Sequence, residues 1–104
     1  MNTSFEFPKH FPVSGGKQIE LRPPTAAEEL ELFEAGDANA ARVEFDLAKR
    51  CIVSLDGLAV ADVARDQVWE HELDGRARMW VRKWVGHCMG LGEAPPPFLA
   101  RQPS

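Results

Sequence analysis

The side chains best equipped for chemistry in this chain are three histidines (His10, His71, His87), two cysteines (Cys51, Cys88), the carboxylates Glu70, Glu72 and Asp74, and a Ser14-Gly15-Gly16-Lys17 run. A structural zinc site needs closely spaced thiolate and imidazole pairs. No Cys-x-x-Cys or His-x-x-x-His pair occurs, and the adjacent His87 and Cys88 would diverge by about 100° on a helix. A phosphate loop must open onto a helix, whose first N–H groups hold the anion. Ser14–Lys17 instead precedes an extended run, Gln18-Ile19-Glu20-Leu21. Ser54 lies near a turn with no histidine patterned to activate it, and a charge-rich helix end accounts for Glu70, Glu72 and Asp74. The expectation is a protein that is not an enzyme, with no catalytic residue, no cofactor and no metal.

The elements that would position these residues are legible as patterns. Phe5-Glu6-Phe7 and Ile19-Glu20-Leu21 alternate around a glycine break, which reads as a β-hairpin over about 5–22. Pro8 and Pro12 make it an edge feature, and residues before Phe5 are expected to fray. Thr25 and Glu28 stand at capping-box spacing, predicting a first helix over 26–35 closed by Gly36. Ala26, Leu30 and Phe33 share one of its faces. Asp37 is expected to cap a second helix running to Ser54 or Leu55, with Asp56-Gly57 as the turn that ends it. A short helical turn near 60–64 and a helix over 67–72 should follow. Asp74 then caps a final helix, with Ala77, Trp80, Val81, Trp84, Val85 and Cys88 on one arc and Arg76, Arg78, Arg82 and Lys83 opposite.

These patterns predict a mainly α fold with a short N-terminal β-hairpin, a small α+β helical domain of three to four helices. It forms a single domain over 1–92, with a helical body over about 26–90 and a proline-rich, flexible tail over 93–104. A chain of 104 residues and 44% hydrophobic content has enough apolar material for one modest core. Its net charge of −4 disfavours nucleic acid, which rewards basic surfaces. The N-terminus lacks signal-peptide character, and no apolar run approaches the ~20 residues of a membrane helix. Both cysteines are expected to be reduced.

Several residues invite a partner. The paired Trp80 and Trp84, with Trp69 nearby, suit either a core or a binding platform. Two strands bury little by themselves, so Phe5, Phe7 and Phe11 must pack on the helices, on another copy or on a client. Leu32 and Val53 are apolar residues on polar faces. Glu44 falls at the centre of the second helix's apolar arc, either reaching solvent or serving as a paired or interface carboxylate.

The layout from Phe5 to about Gly90 resembles the tail assembly chaperones of tailed bacteriophages and prophages. The likeness rests on Ile19-Glu20-Leu21-Arg22-Pro23-Pro24-Thr25, on the capped Thr25-Ala26-Ala27-Glu28-Glu29, and on Cys51-Ile52-Val53-Ser54-Leu55-Asp56-Gly57. The layout is also similar to small baseplate-assembly proteins. The resemblance implies a non-catalytic helper in the host bacterial cytoplasm. It would bind the tape-measure protein and other tail proteins, hold the tape-measure protein soluble while tail-tube subunits assemble, and form a homo-oligomer, with no nucleic acid or membrane partner. The partner-binding residues expected on that basis are Phe5, Phe7, Phe11, Leu30, Leu32, Phe33 and Glu44. A frameshifted longer product through Pro95-Pro96-Pro97-Phe98 would fit the same family. The alternatives are a baseplate or tail-completion component retained in the virion, and a small bacterial adaptor or regulatory protein.

Overall fold

Four short antiparallel strands and four helices make up the computed structural model, which describes residues 2–92. The expected tail over 93–104 lies outside the described residues. The strands β1 (Thr3–Glu6), β2 (Gln18–Leu21), β3 (Ile52–Leu55) and β4 (Leu58–Ala59) lie side by side in chain order. The helices α1 (Ala26–Ala35) and α2 (Ala40–Arg50) are inserted between β2 and β3. After β4 come a 3₁₀ turn (Asp62–Ala64), the one-turn α3 (Arg65–Gln67), a π turn (Val68–Glu72) and α4 (Gly75–Cys88).

The N-terminal strands are present as expected, but the sheet is larger than a hairpin. The second helix stops at Arg50 instead of continuing to Ser54 or Leu55, and Ile52–Leu55 forms a strand on β2. Cys51, Ile52 and Leu55 satisfy helical spacing, yet a four-residue apolar run fits a buried strand equally well. The pairing partner β2 and the following Asp56-Gly57 decide the matter. Both turn residues take positive φ, 55° and 84°, as a two-residue hairpin loop requires. Asp56 also stitches the tip to β2: its N–H donates to the Gln18 carbonyl at 2.6 Å, and its carboxylate accepts from the Gln18 N–H at 3.4 Å. Val53 is the extra residue of a bulge, because Glu20 pairs with Ser54 while Leu21 pairs with Ile52. β1 begins at Thr3, so Thr3 and Ser4 are paired with β2 and not frayed. Asp37 does not cap α2; Asn39 occupies that position without a side-chain bond to the helix.

One face of the sheet is polar. Glu20 accepts from Asn2 at 3.0 Å and from Ser54 at 3.1 Å. The opposite face carries Phe5, Ile19 and Leu55 in register, with Leu21 and Ile52 beside them. α4 supplies Ala77, Trp80, Val81 and Val85 to the core under this face, as its periodicity predicts. Phe5 meets the Trp80 and Trp84 rings edge-on at 4.7 and 5.7 Å, and Phe7 stacks on Phe11 at 6.2 Å. Phe7 is fully buried and Phe11 nearly so. The hairpin aromatics therefore pack within the protein, Phe7 and Phe11 in its core and Phe5 half-buried against the tryptophans of α4. Trp69 and Trp80 are buried and Trp84 half-buried, so they belong to the core and form no exposed platform.

Two carboxylates fasten the irregular segments to this core. Asp74 caps α4 as expected, its Oδ1 accepting the Ala77 N–H at 3.0 Å. Its Oδ2 takes the Ser14 hydroxyl at 3.2 Å and the Val13 and Ser14 N–H groups at 3.3 and 3.5 Å. Burial pushes the Asp74 carboxyl up, but these donors outweigh it and hold the group below its ordinary value. The Ser14-Gly15-Gly16 break is thus a structural clasp. A Cβ on Gly15 would stand 2.5 Å from the carbonyl oxygens of Lys9 and Phe11, so only glycine fits there. The second carboxylate is Glu28.

Candidate functional site

Glu28 sets the rotation of α1. The capping box is complete: the Glu28 N–H donates to Thr25 Oγ1 at 3.2 Å, and Glu28 Oε1 accepts the Thr25 N–H at 2.9 Å. Arg22, leaving the end of β2, reaches the same carboxylate with both guanidinium arms at 2.8 and 3.0 Å. The Arg22 backbone N–H in turn donates to the Cys51 carbonyl at 2.9 Å, tying this joint to the start of β3. Arg22, with help from the Thr25 donors and against the cost of burial, holds the Glu28 carboxyl at about 2. The run Arg22-Pro23-Pro24-Thr25-Ala26-Ala27-Glu28 is therefore a rigid corner between strand and helix.

That corner turns Glu28 and Leu32, one helical turn apart, toward the core. Leu30 and Phe33 consequently face solvent, 56% and 67% exposed. Leu32 is buried, the reverse of its expected place on a polar face, while Leu30 and Phe33 keep the shared face expected of them. Their flanks are acidic, with Glu29 and Glu34 adjoining, and neither of these carboxylates holds an ion pair among the described residues.

Beside this face, α1 and α2 enclose an open groove of about 610 Å³ lined by Glu31, Glu34, Arg42, Val43, Phe45 and Arg50 among others. Arg50 closes one side of it, bound to Glu31 at 2.7 Å and Asp46 at 2.5 Å, with Glu28 at 3.8 Å. Phe45 remains 39% exposed, with the Arg82 guanidinium 4.0 Å above its ring and Trp69 edge-on at 6.1 Å. Phe45 is not among the residues that the sequence singles out. The signal that could find it is an aromatic standing off the apolar arc of α2.

The expected partner set is therefore split. Leu30 and Phe33 share one exposed face, Phe5 is half-buried against tryptophans, and Phe7, Phe11 and Leu32 are interior. Glu44 is half-buried on α2 toward α4, its Oε1 3.9 Å from a Cβ placed on Gly86. It marks a close helix–helix approach away from the α1 face.

The chemically reactive residue types do not converge. His10, His71 and His87 are separate from one another and none is buried. Both cysteines are free, and burial pushes the Cys51 thiol up to about 12, far from the thiolate form a nucleophile needs. Among the described residues no group of three or more His, Cys, Asp or Glu side chains could hold a metal ion. No described helix is long and apolar enough to cross a membrane. What the α1 face and groove can do is dock an apolar segment bearing basic or amide groups. Compared with protein-family models, curated proteins and solved structures, the chain matches none.

Proposed function

We propose that this protein is a phage tail assembly chaperone. It acts in the host bacterial cytoplasm, without catalysis, by holding an apolar helical stretch of the tape-measure protein in solution. The observation that carries this reading is the pair Leu30 and Phe33, left more than half exposed on a helix whose other side is locked by Arg22 and Glu28. Exposed large apolar side chains on a pre-set helix cost little ordering when a partner helix lies down beside them. The adjoining groove, with Val43 and Phe45 between charged walls, extends the apolar strip and supplies a polar rim. The residues that build the corner are those on which the resemblance to tail assembly chaperones rests. On this reading the motif has a physical role, which is to orient the docking helix.

Co-expression with the tape-measure protein tests the proposal. The wild-type chain should keep its client in the soluble fraction, and a Leu30→Asp/Phe33→Asp variant that folds normally should not. A client equally soluble with either chain would refute the assignment of this face. Recovery of the chain in purified, mature particles would point instead to a retained tail component.

A further inference from the structure

We infer that the segment taken by the α1 face and groove is an amphipathic helix with segregated charges, basic residues along one flank of its apolar stripe and carboxylates along the other. The inference rests on the functional reading above for what the client is, and on the groove itself for the charge pattern. Most of the charges lining the groove are already matched. Lys49 is bound to Asp66, and Arg50 to Glu31 and Asp46. Two lining side chains are left over, Glu34 on the α1 wall and Arg42 on the α2 wall. Both are exposed, and neither has a hydrogen bond or an ion pair among the described residues, with each other or with anything else. The free charge of α1 is all negative, because Glu29 is likewise unpaired and the helix holds no cation. On the opposite side the free charge is positive. The Arg82 guanidinium of α4 lies 4.0 Å over the Phe45 ring, pairs with no carboxylate among the described residues, and keeps its Nε–H buried without an acceptor. Arg42 precedes Phe45 by three residues and neighbours it on the surface of α2.

The apolar side chains Leu30, Val43 and Phe45 thus lie in a strip with unpaired carboxylates on the α1 side and unpaired guanidinium groups on the side of α2 and α4. A uniformly basic helix would satisfy Glu29 and Glu34 but set like charge against Arg42 and Arg82. A uniformly acidic helix would do the opposite. A helix with one flank of each sign answers both sides while its stripe covers the apolar side chains. Turning such a helix end for end exchanges its flanks, so the same charges also fix the direction in which it lies. Little ordering is needed on the protein's side, since Arg82 and the edge of Trp69 already brace the Phe45 ring.

Fluorescence anisotropy with three synthetic helices of one length and one leucine stripe tests the pattern at ~0.15 M salt, where long-range attraction is screened. One peptide carries lysines on one flank and glutamates on the other, one carries lysines on both, and one carries glutamates on both. The mixed peptide should bind about fivefold tighter than either uniform one. Two reversals at exposed, unpaired positions should change the ranking. Arg42→Glu makes both groove walls acidic and should put the all-lysine peptide first, whereas Glu34→Lys should favour the all-glutamate peptide. Equal binding of the three, no binding of any, or a ranking that both variants leave unchanged would overturn the inference. So would mixed-peptide binding that a raised protein concentration suppresses, which would give the surface to a second copy. A wild-type chain that solubilises its tape-measure client but does not rank the peptides would remove this inference and leave the proposed function standing. The expected ranking without client solubilisation would do the reverse.

Discussion

α1 and α4 are held in place by different physics. α4 presses Ala77, Trp80, Val81 and Val85 into the core and turns Arg76 and Lys83 outward, while Arg78 and Arg82 are half-buried against the protein. Its position is a matter of apolar burial, and its capping aspartate trims the end. α1 buries only Glu28 and Leu32, and it keeps Leu30 and Phe33 outside. A cap and a two-armed ion pair do for α1 what packing does for α4. A helix anchored by polar bonds has its large apolar side chains to spare for a partner, while a helix anchored by burial commits most of its own to the core.

The largest way to break this comparison is on the α4 side. Trp80→Ala would empty the space beneath Phe5 and Phe7 and should cost about 3–5 kcal/mol, read as a fall in the denaturant midpoint. The same measurement on Glu28→Gln should show about 3 kcal/mol lost at neutral pH, since the amide can keep the capping bond to Thr25 but removes the charge that both arms of Arg22 meet. Glu28 also has a pH signature. Its carboxyl sits at about 2 in the folded protein against 4.5 in the free side chain. A depressed value means that the stabilisation is complete above about pH 4.5 and drains away as pH falls toward 2. Urea titrations should therefore find the wild-type advantage over Glu28→Gln constant from neutral pH to about 5 and shrinking below it. Asp74 is depressed as well, so some acid sensitivity should persist in the variant.

Smaller effects sharpen the contrast. Gly15→Ala drives a methyl group into two carbonyl oxygens and should cost about 2 kcal/mol, loosening the Ser14 clasp on Asp74 while leaving α1 in place. Phe33→Asp should change stability by no more than about 0.5 kcal/mol, because its side chain is mostly in water already, yet it should abolish client solubilisation. A large stability loss there would mean that α1 is packed after all and is not a docking helix.

Local signals are readable where they are self-contained. Thr25 with Glu28, Asp74 before α4, and the Ala77–Val85 arc each carry their own partners within a turn or two, and each appears in the structure as expected. Signals settled by distant residues are not. Ile52–Leu55 continues the helical spacing of α2, and only its pairing with β2 and the positive φ at Asp56 and Gly57 make it a strand. The facing of α1 is hidden for the same reason. A glutamate turns inward only because Arg22, six residues earlier on a strand end, is there to meet it. Of the expected partner residues, Leu30 and Phe33 remain on the candidate face, and the hairpin aromatics Phe5 and Phe7 are claimed by tryptophans far along the chain.

Hydrogen–deuterium exchange of the chain with and without the tape-measure protein tests the central claim most directly. Client binding should slow exchange across residues 26–35 and along the groove side of 42–50, with the sheet unchanged. Slowed exchange confined to the sheet's Glu20–Ser54 face or to α4, with α1 unaffected, would contradict the account.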